Sequence, residues 1–519
     1  MTDRSQAGPP FGGVIYQVYP RSFRDGDGDG VGDLAGIRAG LDHLEWLGID
    51  AVWSSPLYRS PMADFGYDVA DHCDVDPVFG TLADLDGLIA DAGARGIEVW
   101  LDFVPNHTSD QHRWFEAARS SREDPHRDWY VWRDPAPDGG PPNNWVRHFA
   151  DEPAWTFDQR TGQYYLNHFL PQQPDVNWDT PALRDAQLDV LRFWMARGVR
   201  GFRADVVHLI GQDRSYPDDP PGVERFDGRG DFHHHASTRA HLGAIRRTLD
   251  EHGAIIVGES YLEHPEALLA HVGDDAQHLS FVFHLLNAPW DATEWARRIR
   301  GVEAVFEPAG AWAAWALGNH DRPRLATRVG SEDRARVAAT VQLTLRGVPC
   351  IFQGDELGLE DADVPTERVV DPGGRDGCRA PVPWAQDAGA GWPASAWLPL
   401  PPDAARRSVA AQQPDPTSTA NHYRRLLALR RTHEALVVGA QRVLGADDGL
   451  PGDVLGIERT HAGATLVTLA EMAGRPAQLA ATWASGWQVL LDSAGAGTSA
   501  GQAFSGTLAA DTAVVLVRG

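Results

Sequence analysis

The chain has 519 residues, 43% of them hydrophobic and 23% charged, with a formal net charge of −26 at pH 7. That length is more than one ordinary compact domain needs, although a (β/α)8 barrel with insertions and an appended module fits it. The acidity argues against nucleic acid or an anionic membrane as partner, since both demand a basic surface, and is compatible with a neutral substrate.

No lysine occurs, so every fixed side-chain cation is an arginine. Three cysteines, Cys73, Cys350 and Cys378, are too few for a disulfide framework, and Cys350 in VPCIF reads as a core residue. The opening MTDRSQAGPP has no apolar leader pattern and no run is long enough to span a bilayer, so the expectation is a cytoplasmic enzyme. Nothing in the sequence speaks to oligomeric state.

Short apolar or β-branched runs recur at 14–19, 50–55, 97–104, 199–206, 254–260, 279–284, 312–320 and 348–356, separated by amphipathic stretches such as LAGIRAGLDHLEWLG (34–48). Strand and helix in alternation predict a parallel sheet, and eight such units predict a closed (β/α)8 TIM barrel over 1–105 and 176–438. Residues 106–175 are rich in Trp, Pro, Asp, Asn and Gly and are too long for a bare loop. They predict an inserted subdomain after strand 3, with a hairpin near TGQYYLNHF. A second irregular stretch, from Glu360 to about Pro402, follows the eighth strand and should line the same mouth. The tail from 439 to 519 carries ATLVTLA and AVVLVRG between Gly-rich turns and predicts a C-terminal antiparallel, β-sandwich-like domain.

Acidic residues end three of the strands: Asp205 in GFRADVVH, Glu259 in IIVGES and Asp321 in LGNHDRPR. Strand ends of a parallel barrel converge on one face, so residues far apart in sequence meet there. Two carboxyls facing across a sugar are the minimum needed to split a glycosidic bond. Arg203, two residues before Asp205, points to the same side of its strand and favours an ionised nucleophile. A carboxyl closing an apolar strand, as Glu259 does, suits a general acid. Asn106 and His107 in DFVPNHTSD, and His320 beside Asp321, add polar groups where core packing alone would select apolar ones.

DGDGDGVGD (25–33) alternates acids with glycines; Asp25, Asp27, Asp29 and Asp33, with the Val31 carbonyl, predict an oxygen cage for structural Ca²⁺ or Mg²⁺. FHHHAS (232–237) reads as a solvated loop, because neighbouring histidines in extended chain point opposite ways. The 19 tryptophans read mainly as packing.

The four strand-end segments resemble the four conserved regions of the α-amylase superfamily of glycoside hydrolases (family 13), as do YQVYPRSF, GYDVADH around Asp68, and QPDVNW around Asp175. The resemblance implies Asp205 as nucleophile, Glu259 as acid/base and Asp321 as the acid fixing the distorted sugar. It also implies Tyr67, Asp68, His107, Arg203 and His320 around the non-reducing glucose. Arg379 in GCRAPVPW resembles the arginine of an RTPMQW segment. QPDVNW is similar to the oligo-1,6-glucosidase and α-glucosidase branch, which implies exo-action on short α-1,4- or α-1,6-glucosides with retention. The acidic loop resembles that branch's structural metal loop. A transferase or isomerase, of the trehalose synthase or sucrose isomerase type, would use the same covalent intermediate. A non-catalytic amylase-like binding protein is the reading from another class; it would need an anchor and usually lacks the acids.

Overall fold

The computed structural model describes residues 8–222, 235–371, 373–393, 396–483, 485–495 and 500–518. Eight parallel strands close a barrel: β1 (Ile15–Val18), β2 (Ala51–Ser54), β3 (Glu98–Phe103), β4 (Gly201–Ala204), β5 (Ile255–Gly258), β6 (Leu279–Val282), β7 (Ala313–Ala316) and β8 (Val348–Phe352). Each lies inside one of the apolar runs. The regular hydrogen bonding stops short of the acids, so Asp205 and Glu259 each stand one residue beyond their strand.

The period-2 alternation divides the strand residues between two cores. Ile15, Trp100, Val257, Phe281 and Cys350 fill the barrel interior. Tyr16, Val99, Leu101, Phe202 and Ile256 face outward into the helical shell. Residues in register with the inward set therefore point up the barrel axis, among them Asp102 and Arg203, which pair across β3 and β4. At the floor, a Cβ on Gly201 would lie 2.2 Å from the Trp100 ring, so only glycine lets that indole cross the barrel.

The shell includes α1 (Leu34–Leu47), α2 (Leu82–Ala94), α3 (Pro181–Ala196), α4 (Ser237–Asp250), α5 (Ala292–Phe306), α6 (Glu332–Thr344) and α7 (Thr419–Thr432). Their starts are legible in local chemistry. Asp33 caps α1, Thr81 and Asp84 form a capping box on α2, and Pro181 opens α3. Between β3 and α3 the chain makes a three-stranded antiparallel sheet of Trp132–Arg133, Gln163–Leu166 and Trp155–Asp158, so the expected hairpin is present. Trp145 and Trp155 pack under it with Tyr216. The tail forms a five-stranded antiparallel sheet of β9 (Ala440–Leu444), β10 (Val454–His461), β11 (Ala464–Glu471), β12 (Trp487–Asp492) and β13 (Ala513–Arg518), in the order β9-β10-β11-β13-β12. One face of it, with Leu455, Ile457, Ala470 and Met472, packs against α5 and α6.

Among the described residues no helix is long and apolar enough to cross a membrane. The three cysteines are free, and Cys350 is buried as expected. Of the histidine run, Phe232, His233 and His234 lie outside the described residues; His235 hydrogen-bonds Ser237 Oγ at 2.7 Å.

Candidate active site

A cavity of about 280 Å³ opens at the C-terminal end of the barrel. Tyr67, His107, Asp205, Glu259, His320 and Asp321 all line it, together with Asp64, Val206, Tyr261, Arg322 and Arg375. The groups expected from β3, β4, β5 and β7 therefore meet in one place.

Arg203 is the hub. One nitrogen, Nη1, lies 2.8 Å from Asp205 Oδ1 and 2.8 Å from Asp102 Oδ1, while Nη2 lies 2.5 Å from Glu259 Oε2. The contact with Asp205 is the one expected, but the charge is divided among three carboxyls. Burial pushes the Asp205 carboxyl well above its ordinary range; Arg203 pulls it down, and the negative charges of Glu259, Asp102 and Asp321 push it further up. Glu259 is raised for the same leading reason, burial, with Arg203 opposing and Asp321 reinforcing. Asp102, wholly buried, is pushed up to about 7. Arg203 thus opposes the effect of burial at three carboxyls at once rather than at Asp205 alone.

Asp321 behaves oppositely. Burial opposes its ionisation, but His320, Arg375, Arg379 and Arg203 outweigh it, holding the carboxyl well below the usual range. Because burial drives His320 down to about 3, the imidazole is neutral near pH 7 and the arginines carry that effect. His320 stacks on Tyr67 with centroids 5.5 Å apart, and its Nε2 is 2.9 Å from the Tyr67 hydroxyl. Tyr67 in turn donates to Asp102 Oδ2 at 3.0 Å. Buried His107, lowered to about 4, meets Gln173 of the inserted segment at 3.1 Å.

The backbone turns sharply behind Asp205. Val206 adopts φ 36°, ψ 44°, a left-handed conformation rare for a β-branched residue. The turn is held by Val207 N–H donating to the Glu259 carbonyl at 3.1 Å and Asp205 N–H to the Phe103 carbonyl at 2.8 Å.

Two residues sit elsewhere than the sequence suggested. Asp68 does not line the cavity: its carboxylate accepts from Ser60 Oγ and from the Asp64 and Ala63 N–H groups at 2.9–3.0 Å. It shapes the loop that presents Asp64, and Asp64 is the acid in the cavity. Arg379 is buried behind Asp321, donating to the His320 carbonyl at 2.9 Å, with Nη2 3.2 Å from Asp321 Oδ1. The arginine in the cavity is Arg375, which bridges Asp64 Oδ1 at 2.8 Å and Asp321 Oδ1 at 3.0 Å while Asp371 grips it from below. Asp102, Asp64 and Arg375 were not identified from sequence. The available signals were an acid inside an apolar strand, a second aspartate four residues before Asp68 and a second arginine four residues before Arg379.

In the acidic loop, carboxylate oxygens of Asp25, Asp27 and Asp29 lie within 4.8 Å of one another. That spacing fits three ligands around a hard cation whose metal–oxygen bonds are about 2.3–2.6 Å. Asp33 uses its oxygens on the Gly36 N–H at 2.6 Å and the Gly26 N–H at 3.2 Å, and Val31 donates its N–H to Asp29.

Residues 17–439 match the model of the alpha amylase catalytic domain. The chain is 40% identical over 501 residues to a probable alpha-glucosidase of Rhizobium meliloti (strain 1021), covering 90% of each chain. It is 34% identical to the oligo-1,6-glucosidase of Parageobacillus thermoglucosidasius, covering 84% of this chain and 86% of that one. Among solved structures, an alpha-glucosyl transfer enzyme is similar over 100% of both chains (36% identity, TM-score 0.89). The trehalulose synthase of Pseudomonas mesoacidophila MX-45 is similar over 98% of this chain and 99% of that one (32% identity, TM-score 0.90).

Proposed function

The chain belongs to the α-amylase family of glycoside hydrolases, family 13, in its α-glucosidase branch, and from that premise we propose an exo-acting α-glucosidase that releases α-glucose with retention. The observation that carries the exo reading is the Arg375 bridge between Asp64 and Asp321 in the cavity wall, proposed as the blind end of the site. A substrate enters by its non-reducing terminus and stops there.

With the terminal glucose seated, Asp321, kept ionised by its arginines, accepts hydrogen bonds from the sugar hydroxyls. Tyr67 offers its ring face. Glu259 gives its proton to the glycosidic oxygen as Asp205 attacks the anomeric carbon, forming a β-linked glucosyl ester and freeing the aglycone. Glu259, now ionised, takes a proton from water, which attacks the anomeric carbon, breaks its bond to the Asp205 carboxylate oxygen and frees Asp205. The second reading, supported by the names of the two structural neighbours, has a sugar hydroxyl in place of that water. The proposal covers short α-1,4- and α-1,6-glucosides alike. The acidic loop is proposed to hold one structural Ca²⁺ or Mg²⁺ on Asp25, Asp27 and Asp29, with the Val31 carbonyl and Asp33 completing the set. The ion would tie the loop after β1 and takes no part in the chemistry.

Proton NMR of the protein with maltose, isomaltose and sucrose tests the reading. Early α-glucose is the expected result, early β-glucose overturns retention, and new disaccharides from the outset favour the transferase.

A further inference from the structure

Beside the catalytic cavity, and sharing Tyr261 and Arg322 with it, lies a second cavity of about 440 Å³. It is walled by the chain after β5, the chain after β6 and one face of α5. Its charged lining is Arg297, Arg298 and Arg322 against one acid, Glu263. That balance runs against a chain whose net charge is −26.

The three arginines are not equally occupied. Arg297 and Arg298 both lean on Glu294, with Nε–carboxylate distances of 2.7 and 2.6 Å, so one negative charge serves two positive ones. Arg322 makes no hydrogen bond or ion pair with any described residue, although its chain neighbour Asp321 draws on two other arginines. Arg322 is exposed, so its solvated guanidinium stands at the cavity wall open to an anionic ligand arriving from solution.

The position gives that ligand's role. The Asp64–Arg375 bridge is the wall against which the reading above seats the terminal glucose. Tyr261, with its hydroxyl 3.4 Å from Glu259 Oε1, stands between the proton donor and the second cavity. Tyr261 and Arg322 line both cavities, so the second one lies next to the place where Glu259 would protonate the leaving group.

We propose that this cavity receives an anionic leaving group: the aglycone carries a carboxylate or a phosphate, held by Arg322 with Arg297 and Arg298 adding field. This rests on the α-glucosidase reading above and narrows its substrate class.

The test compares three aryl α-glucosides that share one phenol skeleton: 4-carboxyphenyl, 4-(phosphonomethyl)phenyl and the neutral 4-carbamoylphenyl. The readout is the kcat/KM ratio of each anionic substrate to the neutral one. Comparing that ratio between wild type and variant cancels intrinsic leaving-group differences. Arg322→Gln is expected to lower it roughly tenfold or more for at least one anion, as loss of a charge-assisted hydrogen bond does. Arg322→Lys keeps most of the ratio, and the anion with the larger Arg322-dependent change identifies the chemistry. A ratio that Arg322→Gln leaves unchanged for both anions, with all three glucosides cleaved, overturns the anion site and spares the hydrolase reading. If the folded wild type cleaves none of them, the hydrolase reading fails and this inference falls with it. Should Arg322→Gln not fold, Arg297→Gln on the exposed helix face gives the same readout. A fall of about threefold is expected there, because Glu294 already holds part of that charge, and no change overturns the proposal.

Discussion

Arg203 and Glu259 are joined by a contact of 2.5 Å through Nη2, while the other terminal nitrogen of the same guanidinium reaches Asp205 at 2.8 Å. The proposed proton donor and the proposed nucleophile are thus referenced to one rigid, planar cation that β4 supplies from inside the barrel. Moving either acid means breaking a buried ion pair, which keeps the two roles aligned through both halves of a double displacement.

Removing each acid should therefore give a distinct signature. Asp205→Asn is expected to lower kcat roughly 10⁴-fold on every α-glucoside, because no ester can form. Glu259→Gln is expected to lower it about 10²–10⁴-fold on maltose, and much less on an aryl glucoside with an acidic phenol, whose departure needs no proton. Steady-state kinetics on the two substrates, with thermal melting to verify folding, separates the roles. Equal losses on both substrates in Glu259→Gln would reassign the proton donor.

Arg375 and Asp68 should fail differently. Arg375→Ala leaves Asp64 and Asp321 without their common cation, and kcat/KM on disaccharides is expected to fall roughly 10–100-fold. Asp68→Asn replaces an acceptor of several hydrogen bonds within a buried loop. It is expected to show first as a loss of about 1–3 kcal/mol in unfolding free energy. A kinetic defect in Asp68→Asn at full stability would put Asp68, rather than Asp64, against the sugar.

The barrel was readable because parallel strands buried on both faces appear as continuous apolar runs, and the three acids were readable because they interrupt those runs at their ends. Asp102 was not. It lies inside WLDFV, where one strand read alone does not show that its register partner is Arg203. Asp64 and Asp68 flank the same Gly66–Tyr67 pair, and only the folded loop, with Phe65 at φ 48°, decides which carboxylate turns inward. Arg375 sits in irregular chain whose return to the mouth follows no period, so a similar segment pointed to the arginine four residues later.

Glu303 gives a pH prediction for stability. This α5 residue is buried, with Oε2 3.2 Å from Arg346 Nη1 and Oε1 lacking a hydrogen-bond partner. Burial, only partly offset by Arg346, pushes its carboxyl from 4.5 up to about 7. Below the lower value both folded and unfolded chains hold the proton. As pH rises between the two values the unfolded chain releases it first, so stability is lost across that window. Chemical denaturation is expected to show the wild type losing on the order of 3 kcal/mol more than Glu303→Gln between about pH 4.5 and 8. Parallel pH curves for the two proteins would rule this out.

The acidic loop gives the last prediction. Three carboxylates crowd within 4.8 Å, and among the described residues no side-chain cation hydrogen-bonds to them. The divalent ion proposed for this loop would relieve their mutual repulsion in the folded state. Binding to the folded state alone stabilises by about 2.7 kcal/mol when free ion stands at 100 times Kd. Dialysis against a chelator should lower the melting temperature, with Ca²⁺ or Mg²⁺ restoring it, and elemental analysis of untreated protein should find one ion per chain. Asp27→Asn combined with Asp29→Asn should remove both the ion and the response to chelator. An unchanged melting temperature in chelator, with no ion found before treatment, would leave the loop as an acidic turn held by its own backbone hydrogen bonds.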